Sequence, residues 1–213
     1  MKRIKSYTKN RPVFGAVFLL AGLLALPACS TAPLDLEYYA AAAESPRRFY
    51  VCHGYGCRTK TRTRLDKKEW LEVQKPLKQS SASPEEERAQ IAQSIALMEQ
   101  ITGEKVGTDK DAAGATMLGH GEYQLDCIDE AINSSLYLKF FEEENLLKWH
   151  DVDGPARRGA FFDGEWPHNT AVVKEKETGR QYAIDSWFSA NGEKPHIVPL
   201  GLWLNGWRPE GSS

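Results

Sequence analysis

Excess positive charge, internal repeats and a second long apolar run are all missing from this 213-residue chain. Lys and Arg number 27 against 29 Asp and Glu, so the electrostatic footprint of a nucleic-acid binder is absent. The missing repeat argues against a solenoid or propeller. Beyond Val13 to Leu26 no segment is long and apolar enough to span a bilayer. Cysteine is scarce, with four in all. Two of them lie in Cys52-His53-Gly54-Tyr55-Gly56-Cys57, which is not the Cys-x-x-Cys-His spacing of haem attachment. Cys52, His53 and Cys57 could bind a metal, but no second ligand pair has the usual zinc spacing.

What is present starts with an address. Lys2, Arg3, Lys5, Lys9 and Arg11 precede Val13 to Leu26, an apolar run of signal-peptide length. It ends in Leu26-Pro27-Ala28-Cys29, which resembles the lipobox of bacterial lipoproteins, with Pro27 the departure from its usual pattern. That resemblance implies cleavage before Cys29, lipidation of Cys29 and anchoring in the bacterial envelope. Ser30 rather than an aspartate follows, which by the same resemblance implies the outer membrane, facing the periplasm. The alternative is an ordinary secretory signal that leaves Cys29 as a free thiol. The expected organisation is a signal peptide over 1–28, a lipidated tether over 29–47 and one domain over 48–213. Losing five basic and no acidic residues leaves 22 against 29, a net charge of −7 over 185 residues. That length suffices for one real core.

In an oxidising compartment Cys52 and Cys57 are expected to form a disulfide. With Cys29 committed to lipid, Cys127 is the odd thiol and needs an explanation, as a reactive group or as a small buried hydrophobe. Phe49-Tyr50-Val51 reads as a short strand. Arg58 to Leu65 alternates basic residues with threonine and leucine, as in a charged edge strand or a basic strip for an acidic ligand. Asp66 and Glu69 form a capping box for a short helix. Ser83, Pro84 and Glu86 start a second helix with Ile91, Ile95, Met98 and Ile101 on one face, which Gly103 is expected to stop. Gly103 to Gly121 reads as a loop, in which His120 is a minor candidate base.

A third helix is expected from an Asp126 N-cap, with Ile128, Ile132, Leu136 and Phe140 on one stripe. Cys127 then falls in its first turn, where unpaired backbone N–H groups favour a thiolate. Asp126 and Asp129 oppose that, so the thiol needs a basic partner. His168 heads the run Thr170 to Lys176, and Arg180 to Phe188 follows a Glu177-Thr178-Gly179 turn. This reads as a β-hairpin with His168 and Asp185 at one end. A closing pair with an even number sum would put them on opposite faces; a bulge at Gly179 would restore them to one.

The ordered set Asp126-Cys127 at a helix start, His168 opening a strand and Asp185 closing the next resembles the bacterial transglutaminase-like cysteine proteinases, including the LapG-type periplasmic proteases. The resemblance covers Leu125 to Phe188, about a third of the mature chain. It implies an α+β, transglutaminase-like or papain-like fold with the nucleophile-bearing helix packed on an antiparallel sheet. It implies Cys127 as nucleophile, His168 as general base then acid, and Asp185 as the residue that orients it. The Cys127 backbone N–H and a donor from Gln124, Tyr123 or Trp166 would hold the oxyanion. The family also binds calcium beside the cysteine; Asp126, Asp129 and Glu130 are the candidates here, with Ile128 where another acid is expected. No cofactor is required for thiol acyl transfer itself. The expected partners are the membrane, through the N-terminal lipid, and a protein or peptide substrate. Two alternatives stand beside this cysteine peptidase or amidase. One is a cell-wall amidase like the NlpC/P60 group, whose third polar residue is usually histidine. The other is a non-catalytic envelope-binding or structural lipoprotein.

Overall fold

The computed structural model describes residues 45–116, 121–159 and 167–211. The signal segment, Cys29 and the tether through residue 44 lie outside the described residues, as do His120 and Trp166. Among the described residues no helix is long and apolar enough to cross a membrane.

Strands β1 (Phe49–His53) and β2 (Thr59–Thr63) pair antiparallel around the cysteine turn. Helix α1 (Lys67–Gln74) starts at the Asp66–Glu69 capping box, with Asp66 accepting from Glu69 N at 2.9 Å and Glu69 from Asp66 N at 2.6 Å. Helix α2 (Pro84–Val106) is capped by Ser83 at Glu86 N, while the Glu86 carboxylate reaches Ala82 N rather than closing the box. Gly103 does not stop it. The helix runs a further turn and ends at Gly107, whose φ of 90° supplies the left-handed cap. Gly103 has a packing role instead: a Cβ there would lie 2.7 Å from Asn191 Oδ1.

Helix α3 (Cys127–Glu143) follows its Asp126 cap as expected. Four strands complete the chain as an antiparallel meander in the order β3 (His150–Arg158), β4 (His168–Glu175), β5 (Gln181–Asp185) and β6 (His196–Pro199). A short helix, α4 (Leu200–Leu204), closes it. The register of β3 slips by one residue between Asp153 and Ala156, at Gly154-Pro155. An edge strand tolerates such a bulge and its proline.

The architecture is therefore α+β, and strand alternation gives its sheet two distinct faces. Ala171 and Val173 of β4, with Tyr182 and Ile184 of β5, pack against Leu136, Tyr137, Phe140 and Phe141 of α3. Ile91, Ile95 and Met98 of α2 and Phe49 and Val51 of β1 complete this core. Phe49 sits edge-on to Phe140 at 5.5 Å and to Tyr137 at 6.3 Å. Each such buried ring or aliphatic side chain contributes about 2–3 kcal/mol of transfer free energy. The opposite face carries His168, Thr170, Val172, Ala183 and Asp185, with Trp203 of α4 at the His168 end.

A buried polar seam ties α2 to the sheet. Glu87 accepts from Lys148 N, Trp149 N and His150 Nδ1, the last at 2.8 Å, and Arg88 pairs with Glu175 at 2.6 Å. Burial works against the Glu87 charge, but the bonds from His150, Trp149 N and Lys148 N outweigh it and hold the carboxyl below its ordinary range.

Candidate active site

The first turn of α3 is fixed by reciprocal carboxylates. Asp126 Oδ1 accepts from Ile128 N and Asp129 N, each at 3.0 Å, and Asp129 Oδ2 accepts from Asp126 N at 3.2 Å. The same Asp129 holds the cysteine turn. Its Oδ2 takes Tyr55 N at 2.9 Å and its Oδ1 takes Cys57 N at 2.5 Å. Gly54, Tyr55, Gly56 and Cys57 all have positive φ, 57° to 77°, in a turn whose Tyr55 and Cys57 N–H groups both meet this carboxylate. The Cys52–Cys57 disulfide staples the turn, with the two Cα atoms 4.6 Å apart. Asn133 adds two hydrogen bonds to β1, accepting from Cys52 N at 2.8 Å and donating to Cys52 O at 2.9 Å. Ile128 and Ile132 pack against the disulfide. The hexapeptide is thus a clamp on the helix that carries Cys127. His53 does not serve a metal there, because Nδ1 meets Glu122 O at 3.0 Å and Nε2 meets Thr61 Oγ1 at 2.8 Å.

The hairpin brings His168 and Asp185 together. Glu175 N donates to Arg180 O, which leaves a four-residue loop ending on Gly179 at φ 70°. Ala171 lies opposite Ile184, so the register sum is odd and Asp185 falls opposite Thr170. His168, two residues before Thr170, therefore shares a face with Asp185. Its Nε2 lies 2.7 Å from Asp185 Oδ2. That bond assigns the proton to Nε2 and leaves Nδ1 as the basic nitrogen. The imidazole is enclosed by aromatic rings: Trp187 at 4.9 Å, Phe188 at 5.3 Å and Trp203 at 5.4 Å. Trp203 Nε1 donates to the same Asp185 oxygen at 2.7 Å. Asp185 Oδ1 is buried without a hydrogen-bond partner among the described residues.

Cys127 meets this strand from the α3 side. Its Sγ lies 3.8 Å from Pro167 O and 3.7 Å from Asn169 Nδ2, the residues on either side of His168. Among the described residues no hydrogen bond joins Sγ directly to the imidazole. Burial, then the charge of Asp126, pushes the thiol up to about 12, against a smaller lowering by Asn169. The resting group is a neutral thiol in contact with the two residues that flank His168, whose imidazole is already paired with Asp185. Attack on a carbonyl by this thiol would require loss of its proton to a base, for which His168 Nδ1 is the candidate, and catalytic hydrogen bonds commonly tighten as substrate enters.

The expected oxyanion donors fare differently. Gln124 faces the preceding loop, with Nε2 donating to Lys110 O at 2.9 Å and Oε1 accepting from Ala112 N at 3.0 Å. Tyr123 stacks on His53 at 5.7 Å and is half exposed. Trp166 lies outside the described residues. Asn169 is the side-chain donor that does reach Sγ; its place beside His168 in the sequence was the available signal. Trp203 carries no sequence signal that ties it to Asp185.

The acidic residues considered for calcium are dispersed in role. Asp126 and Asp129 are committed to backbone N–H groups, and Glu130 is buried. Among the described residues no group of three or more His, Cys, Asp or Glu has an arrangement able to hold a metal ion. Burial and the nearby charges of Glu99, Asp111, Asp129 and Asp185 push the Glu130 carboxyl well above its ordinary value. Glu99 on α2 is pushed up to about 8 by burial, although Ser186 and Gly192 N bond to it. No family model, no curated protein and no solved structure matches this chain.

Proposed function

We propose that the chain is an envelope lipoprotein whose domain performs thiol acyl transfer, as a cysteine peptidase or amidase acting on a periplasmic or envelope protein. The observation that carries this reading is the start of β4. There the His168–Asp185 pair at 2.7 Å stands beside the two residues that contact Cys127 Sγ. In the proposed reaction Cys127 gives its proton to His168 Nδ1 and attacks the carbonyl carbon. His168 returns the proton to the leaving amine, and water then cleaves the thioester. Asp185 stabilises the imidazolium. The Cys127 backbone N–H and Asn169 Nδ2 are the proposed oxyanion donors. The same residue order supports a transglutaminase-like arrangement within the α+β fold.

A second reading has its own observation. The buried thiol, pushed up to about 12 and facing an amide, suits an inert cysteine in a non-catalytic envelope-binding lipoprotein. The NlpC/P60-like cell-wall amidase is less favoured, since an aspartate stands where that group usually has histidine. Proteins released or shortened in envelope extracts by the wild type, and not by Cys127→Ser of equal thermal stability, would support proteolysis. Equal products from both would sink it; release of peptides from muropeptides would move the assignment to the cell wall.

A further inference from the structure

We infer that Trp203 is the positioning residue of the His168–Asp185 pair: its indole N–H fixes the carboxylate in the orientation that holds His168 in a single tautomer. The inference extends the acyl-transfer reading but rests on contacts within the pair itself. Asp185 offers one oxygen, Oδ2, to two donors, His168 Nε2 and Trp203 Nε1, each at 2.7 Å. Its other oxygen is buried and has no partner among the described residues. A half-turn of the carboxylate about its last torsion merely exchanges two equivalent oxygens. Smaller rotations swing the bonded lone pair away from the imidazole, and among the described residues no partner of Oδ1 resists them. The indole N–H is the described group, besides the imidazole itself, that holds the plane of the carboxylate.

Trp203 is itself held. It is fully buried, its ring lies under the Arg158 guanidinium at 4.4 Å, and its carbonyl accepts from Arg158 Nη1. Arg158 pairs in register with His168 across β3 and β4, so one strand pair supports both partners of Asp185. The enclosure of His168 by Trp187, Phe188 and Trp203 keeps competing water from either hydrogen bond, which raises the weight of a single donor.

The test uses the full-length lipoprotein in detergent micelles with ¹⁵N-labelled histidine; the chain has five histidines, and His168→Gln assigns the resonance. In the wild type His168 is expected as one Nε2–H tautomer with a slowly exchanging proton. Trp203→Phe is expected to give a tautomer mixture and about tenfold or faster exchange of that proton, the weight of one hydrogen bond to a charged group. Should Trp203→Phe not fold, benzothienylalanine at position 203 removes the N–H and keeps the ring shape. Acylation of Cys127 by a peptide ester is read in parallel, with an expected fall in kcat and unchanged KM. An unaltered tautomer and exchange rate in a folded variant overturns the inference, whatever the chain's activity. A changed tautomer in a chain that never acylates upholds the inference and removes the acyl-transfer reading instead.

Discussion

Replacing Asp129 by alanine should loosen the clamp that joins the cysteine turn to the first turn of α3. The carboxylate accepts three backbone N–H groups, from Tyr55, Cys57 and Asp126. Two of the donors belong to buried residues, Tyr55 and Cys57. A buried donor left without a partner costs about 1–3 kcal/mol, so the two together set a loss of about 2–6 kcal/mol. Against this stands the burial of the carboxylate, which, with Asp126 nearby, pushes its pKa from 3.8 to about 7. The folded group thus retains a proton that the unfolded chain releases, and wild-type stability falls as pH rises between those values. The alanine variant lacks that slope, so its deficit should be larger at pH 5 than at pH 7. At pH 5 a net loss of about 3 kcal/mol corresponds to a Tm lower by about 6–12 °C for a domain of this size. Scanning calorimetry at pH 5 and pH 7, with amide exchange of Tyr55 and Cys57, measures it. A Tm shift under about 2 °C at both pH values, with both amides still protected, would refute the clamp.

Glu99→Gln should flatten the pH dependence of stability. Its folded value of about 8 exceeds the ordinary 4.5, so the fold takes up a proton and loses about 1.4 kcal/mol per pH unit between the two. Urea unfolding from pH 5 to pH 9 should show a shallower slope in the variant; an unchanged slope would exclude Glu99 as the source. Cys52→Ser with Cys57→Ser should lower stability by roughly 2 kcal/mol, the loop entropy of a short closed turn. The wild type should show the same loss under reductant, and an identical urea midpoint with and without reductant would contradict this. Asn169→Ala should cut kcat for thiol acylation about 100-fold with KM held, as for loss of an oxyanion donor. A pure KM effect would assign Asn169 to substrate binding.

Much of this site could be read from local chemistry. The Asp126 cap places Cys127 in the first turn of α3 because capping depends on neighbouring residues. Cys52 and Cys57 flank a turn whose two glycines allow positive φ, and they join as expected. The His168 and Asp185 strands follow from alternation and turn residues. What depended on distant contacts was less legible. The face shared by His168 and Asp185 is decided by the four-residue loop, whose even length makes the register sum odd. Gly103 reads as a helix stop, but it is kept small by Asn191, far away in sequence. Strand β3 is obscured by its Gly154-Pro155 bulge, which breaks the period of two. Gln124 reads as a free donor until its amide is seen bonded to Lys110 and Ala112. Asn169 and Trp203 acquire roles only once β4, α3 and α4 are brought together.

The most direct measurement is the pH dependence of Cys127 alkylation in wild type and in His168→Ala. In a chain carrying Cys29→Ser, with Cys52–Cys57 oxidised, Cys127 is the thiol that reports. If His168 Nδ1 takes the proton of the neutral thiol as the alkylating agent enters, the wild type labels rapidly well below pH 8. Burial and Asp126 push the resting thiol up to about 12, so in His168→Ala, with no base to take its proton, labelling retreats to strongly alkaline pH. Wild-type labelling that already requires strongly alkaline pH, and is indifferent to His168, would contradict acyl transfer and leave Cys127 as a packed, inert thiol.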